Sequence, residues 1–230
     1  AIHKPLGVAL LLIAATHGRS FWMIDDLTPL RELRKEVADR EFYLYHSKPA
    51  IRMEQGGGFR SGSSLLEGEN HPNGVLFHYF VNNFNDSAKV KLEILEMDGD
   101  LIQTFSTNTR ERRQKLDVKK GGNRFLWDMR YPGFTEFPGM VLYSSPNRGP
   151  KAPPGKYKAR LTVNGESMEQ EFEIVKDPRL PNTSEDYQRQ FDFLIKVRDK
   201  VSEAHQAILD IRSVRKDLDY IKGKLGPEEQ

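Results

Sequence analysis

The 230-residue sequence predicts a mainly β chain with a long C-terminal helix, centred on an immunoglobulin-like β-sandwich that a short β-hairpin precedes. Three observations carry that class. About seven short strands with turn signals between them fill residues 75–177, the density expected of a sandwich. An apolar stripe at steps of three and four runs from Tyr187 to Leu225. Two apolar and aromatic segments, 10–16 and 19–25, flank His17-Gly18, the place for a two-residue hairpin turn.

Composition bounds the possibilities. Lys and Arg total 35 against 33 Asp and Glu, a formal net charge of +2, so no global field draws the chain toward nucleic acid or an anionic membrane. Cysteine is absent, which removes disulfides, thiolate nucleophiles and cysteine zinc sites. Residues 6–15 form an apolar run after Lys4. It is too short to span a bilayer as a helix, and it reads either as a signal-peptide core or, the preferred reading, as a strand feeding the hairpin.

Within residues 1–30, His17 is expected in the turn, because histidine tolerates positive φ better than most residues. Asp25 and Asp26 end the second strand on opposite faces and make a poor acid–base pair. Residues 31–74 read as a linker. They hold a short helix at 30–40 with Leu30, Leu33 and Val37 on one face, and a strand at 41–52 that ends near Pro49. A Gly/Ser-rich loop follows, where Gly56-Gly57-Gly58 lacks the Gly-Lys-Ser/Thr of a phosphate cradle.

Residues 75–178 are the sandwich. Val90-Lys91-Leu92-Glu93-Ile94-Leu95 alternates as a half-exposed strand should, and Asp98-Gly99 turns it. Residues 123–131 form a further strand ended by Pro132-Gly133, and Trp127 within it is expected between the sheets. Asn164-Gly165 joins the last two strands, a pairing suited to a type I′ turn. Residues 183–224 are a single amphipathic helix, capped by Thr183 or Ser184 and with Glu185 and Asp186 in its first turn. A stripe of that length calls for a helical partner, either more of the chain or a second copy, so a homo-oligomer through this helix is expected.

Reactive constellations are not evident. The histidines at 3, 17, 46, 71, 78 and 205 lack metal-ligand spacing, so neither a metal nor a cofactor is expected. The basic cluster Arg110-Glu111-Arg112-Arg113 reads as a solvated loop. No nucleophile motif is present, and the chain itself is expected not to be catalytic.

The motif Ala14-Ala15-Thr16-His17-Gly18-Arg19-Ser20-Phe21-Trp22-Met23-Ile24-Asp25-Asp26-Leu27-Thr28-Pro29-Leu30 resembles the end of the last propeller blade in bacterial sortilin/VPS10-like proteins. These are BNR-repeat, glycosyl hydrolase-like β-propellers. Asn123-Arg124-Phe125-Leu126-Trp127-Asp128-Met129-Arg130-Tyr131-Pro132-Gly133 and Pro154-Gly155-Lys156-Tyr157-Lys158-Ala159 are similar to that family's post-propeller region, an Ig-like domain like that of flagellar hook-capping proteins. The BNR blades themselves, with any glycosidase carboxylates, are missing from this sequence, and no catalytic residue carries over. The resemblance makes His17, Gly18, Arg19, Trp22, Asp25 and Asp26 a structural motif, the remnant of a blade. It implies an accessory region that supports a propeller or mediates protein association, in a periplasmic or extracellular protein. The partners expected are the missing propeller or another protein. A carbohydrate-binding module using Trp127, Tyr131, Phe134 and Tyr143 as stacking platforms is the alternative. A fragment of a glycoside hydrolase, its terminal blade completing a remote active site, is a third reading.

Overall fold

The computed structural model describes residues 12–15, 17, 21–24, 26–53, 73–82, 84–85, 88–142 and 147–224, with the side chains of 21–23 excepted. The chain is mainly β with one long C-terminal helix. In order it forms β1 (Leu12–Ala15), β2 (Phe21–Ile24), α1 (Thr28–Glu32), α2 (Lys35–Ala38), β3 (Phe42–Leu44), β4 (Ala50–Arg52), β5 (Val75–Val81), β6 (Val90–Leu95), β7 (Leu101–Ser106), β8 (Gly121–Trp127), β9 (Gly155–Val163), β10 (Glu166–Lys176) and α3 (Ser184–Lys222). Two compact units divide it: residues 1–128 with 155–177, and residues 129–154 with 178–230.

The first unit holds the sandwich. One sheet has the order β4-β10-β9-β6-β7 and the other β3-β5-β8. All pairings are antiparallel except that of β4 with β10. The strand entering the domain is thus divided, β3 closing one sheet and β4 the other, in an immunoglobulin-like arrangement. Both strands lie in the stretch the sequence assigns to a linker. The single strand expected at 41–52 is instead two strands of three residues each, in different sheets, and such brevity gives too few alternations to separate them.

Burial follows the pleat. In β9, Tyr157, Ala159, Leu161 and Val163 are buried. On the other face Lys156, Lys158 and Arg160 stand opposite Glu173, Glu171 and Glu169 of β10, and Arg160 Nε meets Glu169 Oε1 at 2.7 Å. Opposite charges paired across strands hold the register that the buried face requires. Asn164 and Gly165 both have positive φ, 51° and 100°, as a type I′ turn demands.

Aromatic rings join the two sheets. Trp127 of β8 is 1% exposed, with its ring 6.0 Å from Phe172 and 6.4 Å from Tyr157, while Phe77 of β5 meets Phe172 edge-on at 5.1 Å. Phe105 and Phe125, 4.5 Å apart, link β7 to β8. Such edge-to-face contacts add to the burial of each ring.

Three further expectations need correction. The hairpin pairs Ala15 with Phe21, whereas a two-residue turn at His17-Gly18 would set Ala15 opposite residue 20. That offset of one residue exchanges the faces of the strand. The helix expected at 30–40 is two short helices, because Leu33 and Arg34 between them are extended, with ψ of 98° and 165°. The strand expected to reach Tyr131 stops at Trp127, since Met129 adopts a left-handed φ of 61° that no strand accommodates. Residues 129–154 accordingly leave the sandwich and belong to the second unit.

Replacing Trp127 by Ala should lower the urea-unfolding free energy by about 3–5 kcal/mol, the usual cost of emptying a large aromatic site. Equilibrium denaturation of the two proteins checks this.

Candidate functional site

The candidate residues fall in different places. Trp127 has no open ring face and is a core residue, so it offers no stacking platform. Tyr131 and Phe134 are half-buried in the second unit. Tyr143 lies outside the described residues. In the hairpin motif, His17 is an exposed turn residue and Trp22 sits opposite Ala14 in β2. Gly18, Arg19 and Asp25 lie outside the described residues.

Tyr131 and Phe134 belong to a strap, residues 129–142, that runs along α3. The Tyr131 ring packs on Phe191 at 4.7 Å, and His205 is held between the edges of Phe134 and Phe137 at 5.3 and 5.0 Å. His205 Nδ1 bonds the Thr135 carbonyl, and the Ser202 hydroxyl accepts from the Thr135 N–H at 3.1 Å. Further along, Arg212 lies over the Phe137 ring at 4.8 Å and donates to the Pro138 carbonyl at 2.7 Å. These groups satisfy strap polar atoms that have no ladder partner.

Asn147 fixes the shape of the strap. Its Oδ1 accepts the Phe134 N–H at 3.0 Å, and its Nδ2 donates to the Phe134 carbonyl and to Glu136. Gly133 is required here, because a Cβ at that position would run into the Asn147 amide. The spacing Tyr131, Phe134, Phe137 within a Pro/Gly-rich stretch is the only sequence trace of the strap. It does not identify a helix as the surface covered.

Two features of the first unit went unread in the sequence. Asp26 is a junction residue: its Oδ1 accepts the Thr28 N–H at 3.0 Å and lies 3.3 Å from Lys48 Nζ, and its Oδ2 is 3.6 Å from His78 Nε2. Burial alone would raise this carboxyl, but the Thr28 hydrogen bonds and the Lys48 ammonium outweigh it and hold the pKa below the ordinary aspartate value. The cluster ties the end of β2 to β5 and to the segment between β3 and β4.

The second feature is a cleft of about 580 Å³ lined by Tyr45, His78, Tyr79, Asp117, Asn123 and Arg124, among others. The Tyr79 side chain is 1% exposed, and its hydroxyl has no hydrogen-bond partner among the described residues. Burial and then the Asp117 carboxylate push that phenol above its ordinary pKa, so it stays protonated and able to donate. Asn123 is occupied internally, bonded to the backbone of Lys119 and Gly121. The exposed groups that the cleft offers to a polar ligand are the Asp117 carboxylate and the Arg124 guanidinium.

Among the described residues no group of three or more His, Cys, Asp or Glu side chains is placed to hold a metal ion. No described helix is long and apolar enough to cross a membrane. No protein-family model matches the chain, and neither a curated protein nor a solved structure does.

Two outcomes follow. Because the Asp26 pKa is depressed on folding, its stabilisation is present above the unfolded value of about 4 and is lost as pH falls through the folded value. The stability gap between the unmodified protein and Asp26→Asn should therefore shrink as pH is lowered from 5 to 3, measured by urea melts. Asn147→Ala should cost about 1–3 kcal/mol by leaving strap backbone groups unpaired. Faster hydrogen exchange at the Phe134 amide, with unchanged exchange in β9, would locate the loss in the strap.

Proposed function

We propose that this chain is a non-catalytic accessory region of a sortilin-like BNR β-propeller protein, a sandwich and helix that support the propeller or mediate protein association. The observation that carries the reading is the hairpin. β1 and β2 form a two-stranded sheet separate from both sandwich sheets, with Leu12, Ile13 and Ile24 about half exposed at 51%, 56% and 46%. A two-stranded hairpin is marginal in water, and apolar side chains on such strands call for a neighbouring surface. The other strands of a terminal blade would supply one. The resemblance of residues 14–30 to the end of such a blade gives that neighbour an identity, and an exported location follows from the same resemblance. The long helix, with Ile211, Val214, Leu218 and Ile221 each more than half exposed, adds a second surface suited to association.

A carbohydrate-binding module is the second reading, and the cleft over Tyr79 favours it. Its exposed Asp117 carboxylate and Arg124 guanidinium are groups that bond sugar hydroxyls.

The coding sequence upstream of Ala1 should encode BNR blades; a start codon there, with no blades, overturns the accessory reading. Calorimetric titration of the chain with soluble polysaccharides should release no binding heat. Saturable heat that Arg124→Ala abolishes would decide for the second reading instead.

A further inference from the structure

The helix α3 carries two seven-residue repeats, and they have different fates. Phe191, Arg198, His205 and Arg212 recur every seven residues and touch the strap, as Ser202 does outside that repeat. One residue before Arg198, His205, Arg212 and Asp219 stand Val197, Ala204, Ile211 and Leu218, about 100° round the helix. All four are exposed, Ile211 at 66% and Leu218 at 60%. Three residues after each of the last three come Ala207, Val214 and Ile221, also exposed, and Phe193 occupies the same position earlier at 66%. These two sets are the a and d positions of a heptad sustained over four repeats from Val197, interrupted there by Lys200 at one d site, and the repeat before it pairs Phe193 at d with Gln190 at a. Strict seven-residue spacing is the pattern of a helix that supercoils with another helix, because it keeps one seam facing the partner.

The flanking charges say which helix. Asp210 and Asp217 hold g positions, Arg215 and Lys222 hold e positions, and all four are exposed. In a parallel, in-register pair of identical helices, a g residue faces the partner's e residue five positions on. That places Asp210 beside the partner's Arg215 and Asp217 beside the partner's Lys222, two opposite-charge pairs on each side of the seam. In an antiparallel pair, g faces g and e faces e, which opposes aspartate to aspartate and cation to cation. Gln206 already holds Asp210 by an i,i+4 hydrogen bond of 2.8 Å to one oxygen, which leaves the carboxylate oriented.

We propose that α3 pairs with α3 of further copies of this chain, parallel and in register, through Ile211, Val214, Leu218 and Ile221 and the a and d residues before them. The proposal rests on the association reading above and names its partner as the chain itself. The strap positions lie away from the seam, so each copy keeps its strap in place while the helices pair.

The absence of cysteine in the chain makes the register directly readable. Ala207→Cys and Val214→Cys, made separately in the full chain, should each form a disulfide between copies under mild oxidation. A parallel pair brings both d positions face to face, whereas an antiparallel pair can bring together one at most. Ile211→Asp with Leu218→Asp should weaken self-association about 100-fold or more by sedimentation, with helix content and the urea midpoint of the sandwich retained. Asp210→Arg with Asp217→Lys should be monomeric alone and so should Arg215→Asp with Lys222→Asp, while mixing the two restores pairing. A monomeric unmodified chain overturns the proposal. So does an oligomer that persists in the Ile211→Asp, Leu218→Asp variant, or one that cross-links at only one of the two positions. Any of these leaves the accessory reading standing, since that reading is tested by the upstream coding sequence and by the polysaccharide titration.

Discussion

Everything ordered in the sandwich turns on one contact, the meeting of Trp127 with Phe172 across the two sheets. Phe172 lies directly opposite Tyr157 in the β9–β10 ladder, and the two rings stack at 5.7 Å. Trp127 and Phe77 then close on that stack from the three-stranded sheet. Two sheets can be held face to face only where large side chains from both interdigitate, and this cluster meets that condition at the end of β8. It also marks where the sandwich releases the chain. Two residues beyond Trp127 the backbone turns left-handed at Met129, whose side chain is fully buried and whose carbonyl accepts the Ala152 N–H at 2.7 Å.

In the second unit, the governing constraint is the periodicity of α3. A 39-residue helix is about 58 Å long at 1.5 Å per residue. The strap is met by an aromatic ring, a histidine and two arginines of one seven-residue repeat, and by the Ser202 hydroxyl beside it. The residues of the neighbouring repeat are aliphatic and exposed. The division matches chemistry to partner. An irregular segment brings free carbonyls and N–H groups that need polar side chains, whereas a regular helix brings none and is met best by aliphatic groups. The start of α3 is as firmly specified as its seam. Thr183 and Asp186 form a reciprocal capping box, and the hydrogen bonds from Thr183 and Arg189 hold the Asp186 carboxyl below its ordinary pKa.

The functional residues were less legible than the fold. Aromatic rings in a β domain invite a reading as ligand platforms, but the type of a residue does not reveal which of its faces is covered. Trp127 is in the core and Tyr131 and Phe134 are engaged by α3. Asp26 read as a strand terminus, and its hydrogen bond to Thr28 and its close approaches to Lys48 and His78 join parts of the chain up to 52 residues apart, from Asp26 to His78. The cleft over Tyr79 likewise draws on residues from β5 and from the approach to β8, which no local pattern associates.

What the sequence determined by itself was whatever is local. Alternation placed β6, β9 and β10, Asn164-Gly165 set their turn, and Thr183 with the three-four spacing delimited α3, because each depends on neighbours within a few residues. The tertiary structure alone decided that β3 and β4 are sheet edges, that the hairpin is one residue out of the expected register, and that residues 129–142 lie along a helix. Three-residue strands carry too little periodicity to be told from one longer strand, hairpin register depends on which face finds cover, and an irregular strap acquires its conformation only from the surface that satisfies its backbone.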